Sequence, residues 1–336
     1  RPHRGSRRPP LDPRHLSKPH PAVDSAPPAN SACPKPGPIQ LPEISMLRVA
    51  RSHYEQMYRR AGGVATHGRV VRFLTAETAP LLRGSYSDTI GRQLYRAAGG
   101  LVAIAGICAY DSDAQGLAQR YFQQALRLAK ASGDRAFGGY AIALLVNQAL
   151  HCGEYRQAVA FAEAGIRTSR PHLSPALATD LYAMQAKAYA RMGDQPGAHR
   201  CMDLAQSASA RIRRDHEPAE TGYVQPGLAE AQIAEALMSL GDLRPARDYA
   251  QEAVDVRAHA RGRVHRLATL ANVDLRSGDA DRAAATAALM VEAAQGQESL
   301  RLRDRFRSVR DNLVEHGSRV TARAATLIDD TLRVPL

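Results

Sequence analysis

Residues Tyr140–Thr168, YAIALLVNQALHCGEYRQAVAFAEAGIRT, contain a spacing pattern that recurs along the chain. Gly153 marks a turn, and small residues follow it at five, nine and twelve positions. The same offsets give small or apolar residues after four other turn positions: Asp113, Gly193, Gly241 and Gly278. Residues three or four positions apart lie on one face of a helix. The sequence therefore predicts five copies of one helix–turn–helix unit.

Most of the repeated positions hold residues small enough for helices to approach each other closely. In the second helix of each copy they are Ala118, Phe122, Ala125; Ala158, Ala162, Gly165; Ala198, Met202, Ala205; Ala246, Ala250, Ala253; and Ala283, Ala287, Met290. Seven residues before each marker lie Gly106, Val146, Ala186, Ala234 and Ala271. A single helix pair cannot bury its apolar faces alone, so neighbouring pairs must stack. We predict an all-α fold, a tetratricopeptide-like α-solenoid of antiparallel helix pairs. Its marker spacings of 40, 40, 48 and 37 residues exceed the usual period of about 34, which indicates longer helices or loops.

The composition divides the chain into four parts. Residues 1–42 hold 12 of the 20 prolines and little apolar material, so we expect a disordered Pro/Arg-rich tail. Residues 43–92 should form N-terminal helices packed on the solenoid, including one from about Gly68 that stops at Pro80. The repeats should occupy residues 93–297, and capping helices residues 298–336.

Charge and cysteine content restrict the class of protein only partly. The net charge is +12, but only four of the 45 basic residues are lysine. Such arginine use is typical of a GC-rich genome, and a solvated basic surface is the simpler interpretation. No C-x-x-C pair links Cys33, Cys108, Cys152 and Cys201. Three of the four fall on predicted helices, where we expect buried free thiols in a reducing cytoplasm. The apolar run 97–110 is too short to span a bilayer, so we expect no membrane partner.

The sequence contains none of the common catalytic or phosphate-binding motifs. The His/Cys neighbours, at 151–152 and at 199 and 201, lack the paired spacing of a zinc site. We therefore expect no enzyme activity, no catalytic residue, no metal and no cofactor.

We expect binding residues on the inner face of the solenoid, which the first helix of each pair lines. In the tetratricopeptide pattern, the inward positions fall 13, 6 and 2 residues before the turn marker. They are Tyr140, Asn147 and His151; Asp180, Lys187 and Arg191; Leu228, Glu235 and Ser239; and His265, Asn272 and Arg276. The two asparagines suit recognition of a peptide backbone, and Lys187, Arg191 and Arg276 suit a carboxylate. We predict that a protein or peptide partner binds in this groove. The alternative is that an open solenoid face is simply polar and wet.

A second hypothesis is direct nucleic-acid binding. It would use the basic tail and the arginines of the first C-terminal helix, Arg301, Arg303, Arg305, Arg307 and Arg310. Acidic residues interleave with these arginines, which favours an ordinary solvated helix.

Several segments resemble a known family. The run GGLVAIAGICAYDSDAQGLAQRYFQQALRLAKASGDRAFGGY resembles actinobacterial regulators that join a helix-turn-helix to a tetratricopeptide-like region. The segments LYAMQAKAYARMGD, EPAETGYVQPGLAEAQ and RGRVHRLATL are most similar to the negative regulators of differentiation and antibiotic production in filamentous actinomycetes. The resemblance covers residues 44–315 and implies an intracellular repressor of development and secondary metabolism. No helix-turn-helix is recognisable in residues 1–42, so we expect DNA contact to be indirect or to need a domain missing from this sequence.

Overall fold

The computed structural model describes residues 39–296 and 299–333. Within these ranges the chain consists of helices, turns and short loops, without a strand. The predicted all-α class is confirmed. Residues 1–38 of the predicted disordered tail (residues 1–42) lie outside the described residues. Its last two residues, Leu41 and Pro42, begin the first helix.

The chain enters the fold through an N-terminal helical segment. Helix α1 (Leu41–Ala61) is followed by α2 (Gly63–Phe73), a π-helical turn (Leu74–Thr78) and the short α3 (Ala79–Leu82). The expected stop at Pro80 is wrong, because Pro80 lies in the first turn of α3. The helical backbone continues from the π-helical turn into α3, where Ala79 donates its backbone N–H to the carbonyl of Leu74. Pro80 follows and has no backbone N–H to donate.

Five helix pairs follow, as the repeated spacing predicted. They are α4 (Asp88–Asp111) with α5 (Gln115–Ser132), α6 (Arg135–His151) with α7 (Tyr155–Ser169), α8 (Pro175–Arg191) with α9 (Gln195–Ser209), α10 (Leu228–Leu240) with α11 (Leu243–Asp255), and α12 (Ala260–Arg276) with α13 (Ala280–Ala293). A further pair, α14 (Leu300–His316) and α15 (Arg319–Arg333), packs against α12 and α13 through one apolar cluster.

Every marker residue adopts the left-handed conformation that closes the turn inside a pair. The φ angle is 57° at Asp113, 78° at Gly153, 76° at Gly193, 89° at Gly241 and 83° at Gly278. In each turn the next residue donates its backbone N–H to a carbonyl five residues earlier, at 2.8–3.0 Å. This is the hydrogen bond of a Schellman motif, in which glycine avoids the Cβ penalty. Identical turns give the five pairs the same local geometry.

The small residues at the repeated offsets are buried, as expected. Gly106 shows the reason: a Cβ there would lie 2.6 Å from the ring of Phe122, which is 1% exposed. Side chains this close would overpack the contact between α4 and α5. The apolar run 97–110 forms the buried part of α4. Among the described residues, no helix has the length and apolar character needed to cross a membrane.

Candidate ligand-binding cavity

The inner face of the helix pairs surrounds a cavity of about 300 Å³. The first helix of all five pairs contributes to its wall: α4, α6, α8, α10 and α12. The remaining wall comes from α1, from Phe122 of α5, from the segments between α9 and α10 and between α11 and α12, and from α14. The volume is at the lower end of the range of small-ligand sites, about 300–1,000 Å³. The predicted groove is therefore partly covered.

Six of the ten predicted site residues line this cavity. They are Tyr140, Asn147, Asp180, Lys187, Glu235 and His265. All four residues that lie 13 positions before a marker reach the cavity, including Leu228. Three of the four residues at six positions before a marker do so too. These two offsets therefore predict the inner wall well.

The other four predicted residues lie outside the cavity wall. His151, Arg191 and Arg276 all occupy the position two residues before a marker, in the last turn of their helices. His151 packs edge-on against Tyr110, Arg191 is exposed, and Arg276 donates a 2.9 Å hydrogen bond to the carbonyl of Met238. This offset places side chains beyond the end of the cavity.

Asn272 lies outside the wall for a different reason. It is only 6% exposed, and its Oδ1 accepts a 2.8 Å hydrogen bond from Asn312 on α14. The last helix pair covers the position that the repeat pattern assigned to a ligand. The predicted backbone-recognition pair of Asn147 and Asn272 is therefore reduced to Asn147 at the cavity.

Asp180 is the centre of one polar network in the wall. Its carboxylate accepts hydrogen bonds from the hydroxyl of Tyr223 at 2.6 Å and from Nε2 of Gln232 at 2.8 Å. Burial raises the pKa of Asp180, while these two donors oppose that rise. Oε1 of Gln232 is buried and has no hydrogen-bond partner among the described residues.

Glu235 is the centre of a second network. Its carboxylate lies 2.6 Å from Nζ of Lys187 and 3.0 Å from Nη1 of Arg305, and it accepts a 3.2 Å hydrogen bond from Thr269. Burial alone would raise its pKa, but Arg305 and Lys187 hold the pKa well below its usual range. Lys187 already has a counter-ion in this structure.

His265 lies beside this network. Burial lowers its pKa well below the usual value, and the charges of Arg305, Arg261 and Arg301 lower it further. The imidazole is therefore neutral near pH 7, with both hydrogen-bonding functions available. Nearby His259 accepts a 3.0 Å hydrogen bond from the backbone of Gly262 at the start of α12.

The arginines of α14 divide between the cavity and the surface. Arg301 and Arg305, four residues apart, lie on the cavity wall. Arg307 pairs with Asp304 at 2.8 Å, and Arg310 pairs with Asp329 at 3.0 Å. The row suggested as a nucleic-acid surface is thus not one continuous face. Sequence patterns did not assign Arg301 or Arg305 to the cavity, although their spacing indicates a shared helix face.

The long segment between α9 and α10 forms another side of the cavity. Glu220 lies 2.6 Å from Arg96 of α4 and 3.9 Å from Arg51 of α1. Tyr223, three residues later, reaches Asp180 on α8. The segment thus connects α8 with the N-terminal helices. The sequence identified it as a loop but gave no sign of this contact.

Known proteins match this chain in structure but not in sequence. No protein-family model and no curated protein matches the chain. Among solved structures, it is similar to the apo form of the quorum sensor NprR from B. thuringiensis, at 12% sequence identity and a TM-score of 0.49. The similarity covers 88% of this chain and 89% of that chain. The five helix pairs and their identical turns establish the solenoid fold.

Proposed function

We propose that this chain is the sensor part of a cytoplasmic regulator, and that it acts by binding the end of a peptide in the central cavity. It carries out no reaction. The partly covered cavity suits a peptide end better than a long extended segment. The resemblance of the segments in residues 44–315 to negative regulators of differentiation and antibiotic production supports a role in development and secondary metabolism.

The observation that carries this proposal is the unsatisfied hydrogen-bonding capacity of the wall. Buried polar atoms in proteins nearly always have a partner, yet Oε1 of Gln232 has none among the described residues. Asn147 is exposed on the wall, and its Oδ1 accepts a 3.1 Å hydrogen bond from Tyr110. Its amide nitrogen remains available to donate. An acceptor and a donor in one cavity match the two groups of a peptide unit.

Binding can be tested with purified protein and a pool of short peptides of randomised sequence. Retained peptides would be recovered by size exclusion and identified by mass spectrometry. Leu144, on α6, lines the cavity, so Leu144→Trp should fill it. Leu204 is 46% exposed on α9, so Leu204→Trp is a matched control. We expect retention by wild type and by Leu204→Trp, and loss with Leu144→Trp. Equal retention by all three proteins would contradict binding in the cavity.

The regulatory role needs a test in the organism that carries the protein. A deletion strain should begin development and secondary metabolism early, and wild type should restore the timing. Leu144→Trp should fail to restore normal control, while Leu204→Trp should succeed. Unchanged timing in the deletion strain would remove the developmental part of the proposal.

A further inference from the structure

We propose that the cavity recognises a free carboxylate at the C-terminal end of its peptide, held between Arg301, Arg305 and His265. This inference rests on the proposed function and names the chemical group that the site selects. The apolar last residue of such a peptide would contact the neighbouring wall of Ile104, Ile107, Phe122 and Leu144.

Positive charge exceeds negative charge on the part of the cavity wall around Arg301, Arg305 and His265. Four cationic side chains meet there: Lys187, Arg261, Arg301 and Arg305. In the part of the chain that the structure describes, two carboxylates lie within 4.0 Å of these cations. Glu235 pairs with Lys187 and Arg305, and Asp111 pairs with Arg261. Asp180 on the same wall also interacts electrostatically with Lys187, so four positive charges face three negative ones and the formal excess is +1. A half-buried excess of positive charge is costly unless an anion balances it.

Within residues 39–296 and 299–333, Arg301 is the one of these four cations that has no counter-ion. Its guanidinium carbon lies 4.1 Å from the centre of the Tyr110 ring, and no carboxylate of the described residues lies within 4.0 Å of it. Its Nε is buried and has no hydrogen-bond partner there. A guanidinium held over a ring still presents its N–H groups in a planar fork, which matches the two oxygens of a carboxylate.

His265 and Tyr110 both lie close enough to the same three arginines to be affected by their charge. The charges of Arg305, Arg261 and Arg301 add to burial in lowering the pKa of His265. Burial raises the pKa of Tyr110, and the same three arginines oppose that rise. The fields of residues from α12 and α14 therefore meet between His265 and Tyr110. A carboxylate placed there would interact favourably with all three arginines.

The apolar wall favours a carboxylate on an organic body over a small inorganic anion. Ile107 of α4 and Leu144 of α6 are partly buried and pack against the apolar cluster that contains Tyr110 and Phe122. A peptide C-terminus combines an obligatory negative charge with a variable side chain. It also has the backbone N–H and C=O groups that Gln232 and Asn147 can bind.

The experiment uses three randomised peptide pools. Two of them lack Asp and Glu, and differ only in having a free or an amidated C-terminus. The third is amidated but contains Glu. Wild type should retain the free-acid pool at least about tenfold better than the first amidated pool, because one hydrogen-bonded charge pair is lost. Arg301→Gln should abolish that preference, and Arg301→Lys should restore part of it. Arg307→Gln is the matched control, since Arg307 is exposed on the same helix and pairs with Asp304.

The outcomes separate this inference from the proposed function. Equal retention of free-acid and amidated pools, with loss in Leu144→Trp, would overturn the carboxylate site while leaving peptide binding intact. Retention of the amidated Glu pool equal to that of the free-acid pool would overturn the assignment to the C-terminus. Retention of no pool would contradict both proposals. Thermal melting of each variant verifies that it is folded.

Discussion

The hydroxyl of Ser299 donates a 2.7 Å hydrogen bond to the carboxylate of Asp111, 188 positions earlier in the chain. The same carboxylate accepts a 2.7 Å hydrogen bond from the backbone N–H of Gly63 and pairs with Arg261. Asp111 is completely buried. One side chain thus connects the start of α2, the end of α4, the start of α12 and the start of α14. This contact joins the first and last helix pairs beside the cavity.

Replacing Asp111 should therefore destabilise the fold strongly. Asp111→Asn leaves the buried guanidinium of Arg261 without its counter-ion, which typically costs about 3–5 kcal/mol. The free energy of unfolding can be measured by urea titration. Asp304→Asn is the control, because Asp304 pairs with Arg307 at the surface, where ion pairs contribute about 0–1 kcal/mol. Equal losses in the two variants would contradict the connecting role of Asp111.

The adjacent glycines Gly138 and Gly139 should respond in opposite ways to alanine. A Cβ at Gly138 would meet only Ala129, at 4.0 Å, so Gly138→Ala should stabilise α6 by about 0.5–1 kcal/mol. A Cβ at Gly139 would lie 2.0 Å from Oγ of Ser169 and 3.0 Å from Leu177. Gly139→Ala should destabilise the fold by about 1–3 kcal/mol through overpacking. Melting temperatures of the two variants test this directly, and a change of the same sign in both would contradict the packing described between α6 and its neighbours.

The parts that sequence predicts well are local. The turn at Gly193 requires a left-handed residue followed by a helix start, and both signals lie within a few residues. Tyr140 and Asp180 follow from the same spacing, because a straight helix fixes which side chains share a face. The all-α class, the five pairs and six wall residues could therefore be derived from the repeated offsets.

The features that the sequence did not predict depend on contacts between residues far apart in the chain. Asn272 has the right spacing for the cavity, but α14 covers it with Asn312. Nothing in the repeat pattern indicates that Tyr223 reaches Asp180, or that Arg301 faces inward. Such pairings depend on how the last helices and the segment after α9 pack across the solenoid. They are decided by tertiary packing rather than by periodicity.

Acid should destabilise the protein partly through His259. Burial and the charges of Arg59, Arg261 and Arg266 lower the pKa of His259 from 6.5 to about 4. Between these two values the unfolded state binds more protons at this site than the folded state. The free energy of unfolding therefore falls as the pH decreases from about 6.5 to about 4, by at most about 1.4 kcal/mol per pH unit for one group.

His259→Asn tests this contribution without losing the helix cap. Asparagine is also a good N-cap residue, so it can accept the N–H of Gly262 as His259 does. The variant should lose less stability than wild type between pH 6.5 and pH 4, as measured by melting temperature. At pH 8 the two proteins should differ little, because the imidazole is then neutral in both states. Parallel pH profiles would show that His259 does not titrate as expected.

Arg301→Gln should raise the pKa of His265, and this expectation requires no ligand. Burial is the main cause of the lowered pKa and remains in the variant, so the value should stay below 6.5. The repulsion between Arg301 and a protonated imidazole is removed, which favours protonation. Titration of the histidine ring signals by NMR, with His265→Gln used to assign the signal, measures the change. Arg307→Gln should leave the signal unchanged, because its guanidinium pairs with Asp304 away from the cavity wall. An unchanged His265 pKa in Arg301→Gln would mean that the positive field at the predicted carboxylate position does not come from Arg301.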